Sequence, residues 1–380
     1  MLFTAACSDS TGDSSPAGSG SGAGNPGGTG GSGSGGNPPG SGGAGGGSGG
    51  SGATGGASGV PEEIHFYGRF DESDAAGPRF AWSGTSIATR FSGSSIDVTL
   101  DDSGNNFFQV IVDGSPASVI VTAGGSQTYP LATGLPAGMH DIELYRRAEA
   151  FQGVVQFQGF TPGDGGALIE TVSPYVHRVE FIGDSITAGY GVEGDSANCS
   201  FTPDTENAHL TYAAIAARSL NAEAHLIAWS GKGVYQNYGG DPNEPMPDLY
   251  GRTLPQDAGS QWDFSAWTAE AVVINLGTND FSVAVDEGAF TSAYVALVQD
   301  VRSHYPDATI FCVAGPFLND VATQYIENAI TTAADPRVLL VPFPSPEPAD
   351  GFGCDYHPSV ATHAKLGQLL ADTIKQELSW

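Results

Sequence analysis

Hydrophobic residues are unevenly spread along the chain, and their spacing divides it into three stretches. Residues 8–60 are almost entirely Gly, Ser, Ala, Pro, Thr and Asn, with no apolar periodicity and no aromatic side chain. Burial there cannot offset chain entropy, so a flexible tether is expected. From 61 to 170, short runs of alternating apolar and polar residues are broken by Gly, Asp and Pro. Strands are expected at 64–67, 87–91, 95–100, 107–112, 118–121, 140–145 and 153–157. With little helix between them, they predict an all-β antiparallel sandwich of jelly-roll type.

From 171 to 380 the rhythm changes to strand, helix, strand. Five mostly apolar runs fall at 179–182, 224–228, 271–276, 309–313 and 338–341, separated by helical patterns near 207–220, 287–304, 320–333 and 359–377. Several runs are apolar on both faces. A parallel sheet covered on both sides by helices is therefore predicted, as in a three-layer α/β domain.

The whole chain has 380 residues, enough for two ordinary domains beside the tether. Its 42 acidic and 13 basic residues give a formal charge of -29. That charge repels phosphate backbones and anionic membrane surfaces, which argues against nucleic acid as a partner and for a neutral substrate. No segment reaches about 18 uninterrupted apolar residues, so no transmembrane span is expected. Residues 1–7, ending at Cys7, resemble the tail of a bacterial lipoprotein signal whose upstream part is missing. On that reading Cys7 carries lipid and the protein is secreted or held at the cell surface; the alternative is an ordinary disordered terminus. A monomer is expected.

The other cysteines are Cys199, Cys312 and Cys354, with no Cys-x-x-Cys spacing to suggest zinc or thioredoxin chemistry. Cys312 lies in an apolar run and is read as a buried thiol. Cys199 and Cys354 follow candidate site residues in loops, and in an exported protein a disulfide between them is predicted. No His-Glu-x-x-His or similar cluster points to a metal, and no cofactor is expected.

Open parallel sheets bind ligands at the carboxyl ends of their strands, and distinctive residues fall there. The first strand ends in Gly183-Asp184-Ser185, the second in Trp229-Ser230-Gly231-Lys232-Gly233 and the third in Gly277-Thr278-Asn279-Asp280. Cys354-Asp355-Tyr356-His357-Pro358 follows the fifth. A second Gly-Asp-Ser, at 194–196, has no apolar strand before it and is read as loop.

Ser185 is the candidate nucleophile, and a hydroxyl needs a base to take its proton during attack. His357 is that base, presented from a loop that Pro358 holds extended. The N–H groups of Ser185 and Gly231 and the side-chain amide of Asn279 are the candidate donors to the developing oxyanion. Either Asp355 or a backbone carbonyl near Tyr356 can accept from the other ring nitrogen of His357; Asp355 is the preferred reading. Asp184 and Asp280 are read as holding turns. Trp229 and Tyr356, with Tyr235 and Tyr238, are candidate sugar-stacking residues, with core packing as the alternative.

These four blocks resemble those of the SGNH (GDSL-type) hydrolases. The segments 181–191, 205–207, 228–233, 354–359 and Leu144-Tyr145-Arg146-Arg147-Ala148-Glu149 are similar to carbohydrate esterase family 2. That resemblance implies a jelly-roll domain followed by a flavodoxin-like SGNH domain that removes O-acetyl groups from plant cell-wall polysaccharides such as xylan or mannan. The wider superfamily has Asp three residues before His, where this chain has Cys354. The Asp-x-His form matches the narrower family, and it leaves open a triad or a serine–histidine pair. The alternatives are an SGNH esterase or lipase for another acyl ester, or a carbohydrate-binding protein with a degenerate hydrolase domain.

Overall fold

The computed structural model describes residues 62–163 and 165–380. The expectations for residues 1–7, including lipid on Cys7, and for a tether over 8–60 lie outside these described residues.

The first half contains β1 (Ile64–Tyr67), β2 (Arg79–Phe80), β3 (Ser86–Gly93), β4 (Ile96–Asp102), β5 (Phe107–Val112), β6 (Ser115–Val121), β7 (Gly125–Ala132), β8 (Gly138–Arg146), β9 (Val155–Pro162) and β10 (Ala167–Ile169). One antiparallel sheet runs β1-β3-β8-β5-β6, with β10 also on β3; the other runs β2-β9-β4-β7. Along β4, Ile96, Val98 and Leu100 are fully buried and alternate with half-exposed residues. They meet Ile87, Phe91, Phe108 and Val110 of the facing sheet in one core. The period-two pattern thus builds a jelly-roll sandwich. Strands β2, β7 and β10 escape the sequence reading. β7 exposes nearly every residue and buries only Leu131, so it carries no apolar alternation, and β2 has only two residues.

The second half forms a parallel sheet from β11 (His177–Gly183), β12 (Ala222–Ala228), β13 (Ala271–Asn275), β14 (Thr309–Ala314) and β15 (Val338–Pro342), in the order β12-β11-β13-β14-β15. This is the flavodoxin-like order, with its switch point beside β11. Val179 and Phe181 of β11 belong to one core and Ile182 to another on the opposite face, which is why the run reads as mostly apolar. The helices are α1 (Ser185–Ala188), α2 (Tyr212–Ser219), α3 (Met246–Tyr250), α4 (Glu287–His304), α5 (Asp320–Ala333) and α6 (Val360–Leu378).

Helix α6 matters to the site because it starts just after His357. Ser359 caps it by accepting from the Thr362 N–H at 3.3 Å. Its buried face includes Leu366, Leu370 and Ile374, each worth about 1.5–3 kcal/mol on burial. Gly367 lets α2 approach closely: a Cβ there would lie 2.7 Å from Ile215 Cγ2.

The two halves are joined by buried polar contacts. Arg69, after β1, and Glu180, in β11, form a salt bridge at 3.0 Å with both side chains fully buried. Glu180 also accepts from the Tyr250 hydroxyl at 2.8 Å and the Tyr305 hydroxyl at 3.2 Å. Arg69 donates to the carbonyls of Tyr250 and Arg252 and packs on the rings of Tyr250, Trp262 and Phe264. Removing the cation strands a carboxylate in the core. Arg69→Met is therefore expected to destabilise the protein by about 3–5 kcal/mol, read from the urea midpoint at unchanged slope; an unchanged midpoint would refute this account of the joint.

Candidate active site

Strand β11 delivers Gly183 and Asp184 to the sheet edge, and the chain turns at once into the short helix α1. Asp184 is its N-cap, accepting from the Ile186 N–H at 3.0 Å. Gly183 has no room for a side chain, since a Cβ would sit 2.0 Å from Thr187 Oγ1. The turn places Ser185 first in the helix. Its hydroxyl lies 2.8 Å from Nε2 of His357, 172 residues further along.

The other ring nitrogen of His357 faces two backbone carbonyls, those of Asp355 at 3.2 Å and Cys354 at 3.3 Å. Carbonyls can only accept, so Nδ1 carries the hydrogen and Nε2 presents its lone pair to the Ser185 O–H. Burial pushes the imidazole pKa down to about 4, against the two carbonyls that favour its charged form. Near neutral pH His357 is thus a free base.

Asp355 does not fill the role expected of it. Its carboxylate accepts from the Phe201 N–H at 2.8 Å and the Tyr190 hydroxyl at 3.0 Å, and it does not bond to His357. The physical reason is local: Asp355 and Tyr356 both adopt left-handed backbone, with φ of 50° and 61°. That turn points the carbonyls of Cys354 and Asp355 at the imidazole and sends the Asp355 side chain the other way. Two non-glycine residues in this conformation need support. Cys354 is joined to Cys199 by a disulfide, the Asp355 N–H donates to Cys199 O at 2.9 Å, and the Tyr356 N–H donates to Ala197 O at 3.2 Å. The second Gly-Asp-Ser lies in the loop that does this, where a Cβ on Gly194 would be 2.4 Å from Cys354 Sγ.

The N–H groups of Ser185 and Gly231 have no acceptor among the described residues. Gly231 takes a φ of +80°, which a side chain would strain. Asn279 Nδ2 donates to Lys232 O at 2.9 Å and more loosely to Asp184 Oδ2 at 3.3 Å. Both amide hydrogens are therefore in use, and the longer bond is the one a ligand oxygen could replace. Asp280 holds the loop after β12, accepting from the N–H groups of Val234, Tyr235 and Gln236 at 2.8–3.0 Å. Asp184 is fully buried, and that burial raises its pKa to about 7.

Around this cluster Tyr235, Tyr238 and Tyr356 are exposed, whereas Trp229 is half-buried against the apolar cores. Tyr190, whose ring centre is 4.3 Å from that of His357, was not singled out from sequence. Its only signal was adjacency to the strand-end motif. His363, close to the site in sequence, is buried and accepts from the Tyr212 N–H at 3.1 Å. Cys312 is buried and free. A cleft of about 480 Å³ lined by Phe66, Asp71, Arg79, Trp262 and Asp263 contains none of the site residues.

Family models match both halves: a carbohydrate esterase 2 N-terminal domain over residues 66–171 and the GDSL-like lipase/acylhydrolase family over 181–365. A family two carbohydrate esterase from Clostridium thermocellum, solved with cellohexaose, is 45% identical, with 83% of this chain and 99% of that one covered and a TM-score of 0.81. The chain belongs to carbohydrate esterase family 2. Among curated relatives, the cellulase/esterase CelE of Acetivibrio thermocellus is 44% identical over 85% of this chain, which spans only 41% of that protein's length. An acetylxylan esterase / glucomannan deacetylase of Cellvibrio japonicus is 28% identical over 83% of this chain and 89% of its own.

The geometry fixes a sign for the acid limb of activity in this family 2 chain. Only neutral His357 can accept the Ser185 proton, so kcat/KM is expected to rise with pH through about 4 and to level off above roughly pH 5, checked by a pH profile on a neutral ester. A limb centred near the ordinary imidazole value would contradict the buried free base.

Proposed function

We propose that this chain is a serine esterase that removes O-acetyl groups from plant cell-wall polysaccharides, xylan or mannan, through an acetyl-enzyme. The observation that carries the reading is the 2.8 Å contact between Ser185 Oγ and His357 Nε2, with Nδ1 held by carbonyls. Ser185 Oγ attacks the acetyl carbon as its proton passes to Nε2. The carbonyl oxygen becomes negative and takes hydrogen bonds from the N–H groups of Ser185 and Gly231 and from the Asn279 amide. Collapse breaks the acyl–sugar bond, and the leaving sugar oxygen takes the proton from His357. Water then attacks the acetyl carbon, its proton goes to His357, and acetate leaves as Ser185 recovers its hydrogen.

In this reading the pair Ser185–His357 acts with backbone carbonyls in place of a third side chain, and Asp355 is a positioning residue for the turn that supplies them. Tyr356, Tyr235, Tyr238 and the rim of Trp229 form the sugar-stacking surface. The names of the Cellvibrio relatives support an acetylated xylan or glucomannan as substrate, and the cellohexaose complex of the clostridial relative supports a β-linked glycan backbone along the site. The disulfide beside the site suits an oxidising compartment, which supports export from the cell.

Acetate release from acetylated xylan and glucomannan, with a panel of acetyl to octanoyl aryl esters, tests the substrate class; preference for octanoyl would favour a lipase instead. Ser185→Ala and His357→Ala are each expected to lower kcat by about 10⁴-fold or more. Asp355→Asn is expected to stay within roughly tenfold of the parent, because a side chain that does not touch the imidazole contributes only through the turn. Full activity in Ser185→Ala would end the proposal, and an Asp355→Asn loss equal to that of His357→Ala would restore the carboxylate to the catalytic set.

A further inference from the structure

Two carboxyl groups outside the Ser185–His357 pair are fully buried and in contact. Glu149 comes from the turn after β8 in the sandwich half, and Glu206 from the segment between α1 and α2. The Glu149 N–H donates to Glu206 Oε2 at 3.1 Å, which brings the Glu206 carboxyl against Glu149. The nearest cations are not spent on them. Arg146 donates to the backbone carbonyls of Phe80, Ala148, Glu149 and Gly153, and Arg147 to those of Asp204 and Glu206 and to the Glu193 carboxylate. Two carboxylates in contact away from water cannot both be charged, so one of them keeps a proton.

The donors present decide which group keeps the proton. Glu149 accepts from both the N–H of Ser230, at 2.5 Å, and the Ser230 hydroxyl, a pattern suited to a carboxylate. Glu206 Oε1 is buried with no hydrogen-bond partner among the described residues, a position that a neutral carboxyl tolerates better than a charged one. Burial and the neighbouring Glu149 charge both push the Glu206 pKa well above the ordinary carboxylate range, opposed by Arg146. After burial, the charges of Asp280 and Glu149 help raise the pKa of the neighbouring Asp184.

We infer that Glu149 and Glu206 share one proton and serve as a positioning pair for ester hydrolysis, clamping Ser230 so that the adjacent Gly231 N–H is held ready for the oxyanion. The inference rests on the reading of Gly231 as an oxyanion donor. It gives the sandwich half a part in the reaction: neutral Glu206 steadies the Glu149 carboxylate, and Glu149 grips the residue immediately before the donor from both its N–H and its side chain. A donor that is preorganised costs nothing to reorient as charge develops, and its loss shows in kcat more than in KM.

The experiment compares Glu206→Gln, Glu206→Leu and Glu149→Gln with the parent, using an aryl acetate for kcat and KM and the infrared carbonyl band of a protonated carboxyl at mildly alkaline pH. Glu206→Gln, whose amide N–H replaces the carboxyl O–H as donor to Glu149, is expected to keep kcat within about threefold and to lose that infrared band. Glu206→Leu and Glu149→Gln are expected to lower kcat by about 10- to 100-fold, up to what loss of one oxyanion donor costs, with KM nearly unchanged. A parent spectrum without the band, or Glu206→Gln as impaired as Glu206→Leu with both folded, would overturn the inference. Should the Leu variant or Glu149→Gln not fold, the band and its loss in Glu206→Gln still decide it. Active Ser185→Ala protein would sink the underlying reading of the site, whereas parent-level kcat in Glu149→Gln beside dead Ser185→Ala would sink only the pair.

Discussion

The hydrogen bond from His357 Nδ1 to two backbone carbonyls is the constraint on which the site depends. An imidazole can take a proton from Ser185 only in the tautomer that leaves Nε2 bare, and acceptors that cannot donate enforce that tautomer. The usual way to do this is a carboxylate, which also stabilises the imidazolium by its charge. Carbonyl dipoles stabilise it less, so burial still holds the imidazole pKa low. The turn supplying them is unfavourable in isolation and exists because the disulfide, the backbone of residues 197–199 and the Asp355 carboxylate hold it from one side.

The oxyanion side of the site is supported from elsewhere. Asp280 gathers three N–H groups of the loop after β12, and Glu149 reaches across from the sandwich half to hold Ser230 at the start of that loop. Arg69 and Glu180 lock the same two halves deeper in the structure. The proposed base and the proposed oxyanion donors are thus set by separate networks that meet at Ser185.

The layout of the parallel domain was legible because its signals are local. The strands are mostly apolar, and the motifs after β11, β12, β13 and β15 single out Ser185, Gly231, Asn279 and His357 as candidates without knowledge of long-range contacts. What the sequence concealed is of a different kind. Asp355 stands two residues before His357 and looks like its partner, but the positive φ values of Asp355 and Tyr356 turn the side chain away, and nothing in the residue types announces that conformation. Glu149 and Glu206 fall in segments that resemble the family, but their pairing could not be read there because each makes its contacts with residues 57 to 81 positions away. Strand β7 was invisible for the opposite reason: it is an exposed edge held by backbone pairing with β4, and its side chains carry no burial pattern.

The reach of Glu149 into the loop of Ser230 also bears on evolution and engineering. A hydrolase half cut free at residue 171 would keep its serine and histidine, yet lose the anchor beneath the loop of Gly231, and expose Glu206 and Glu180 to solvent they were never shaped to meet. The sandwich is consequently no detachable accessory that could be swapped for an unrelated module: the two folds share one polar seam, and recombination would have to carry both sides of it together.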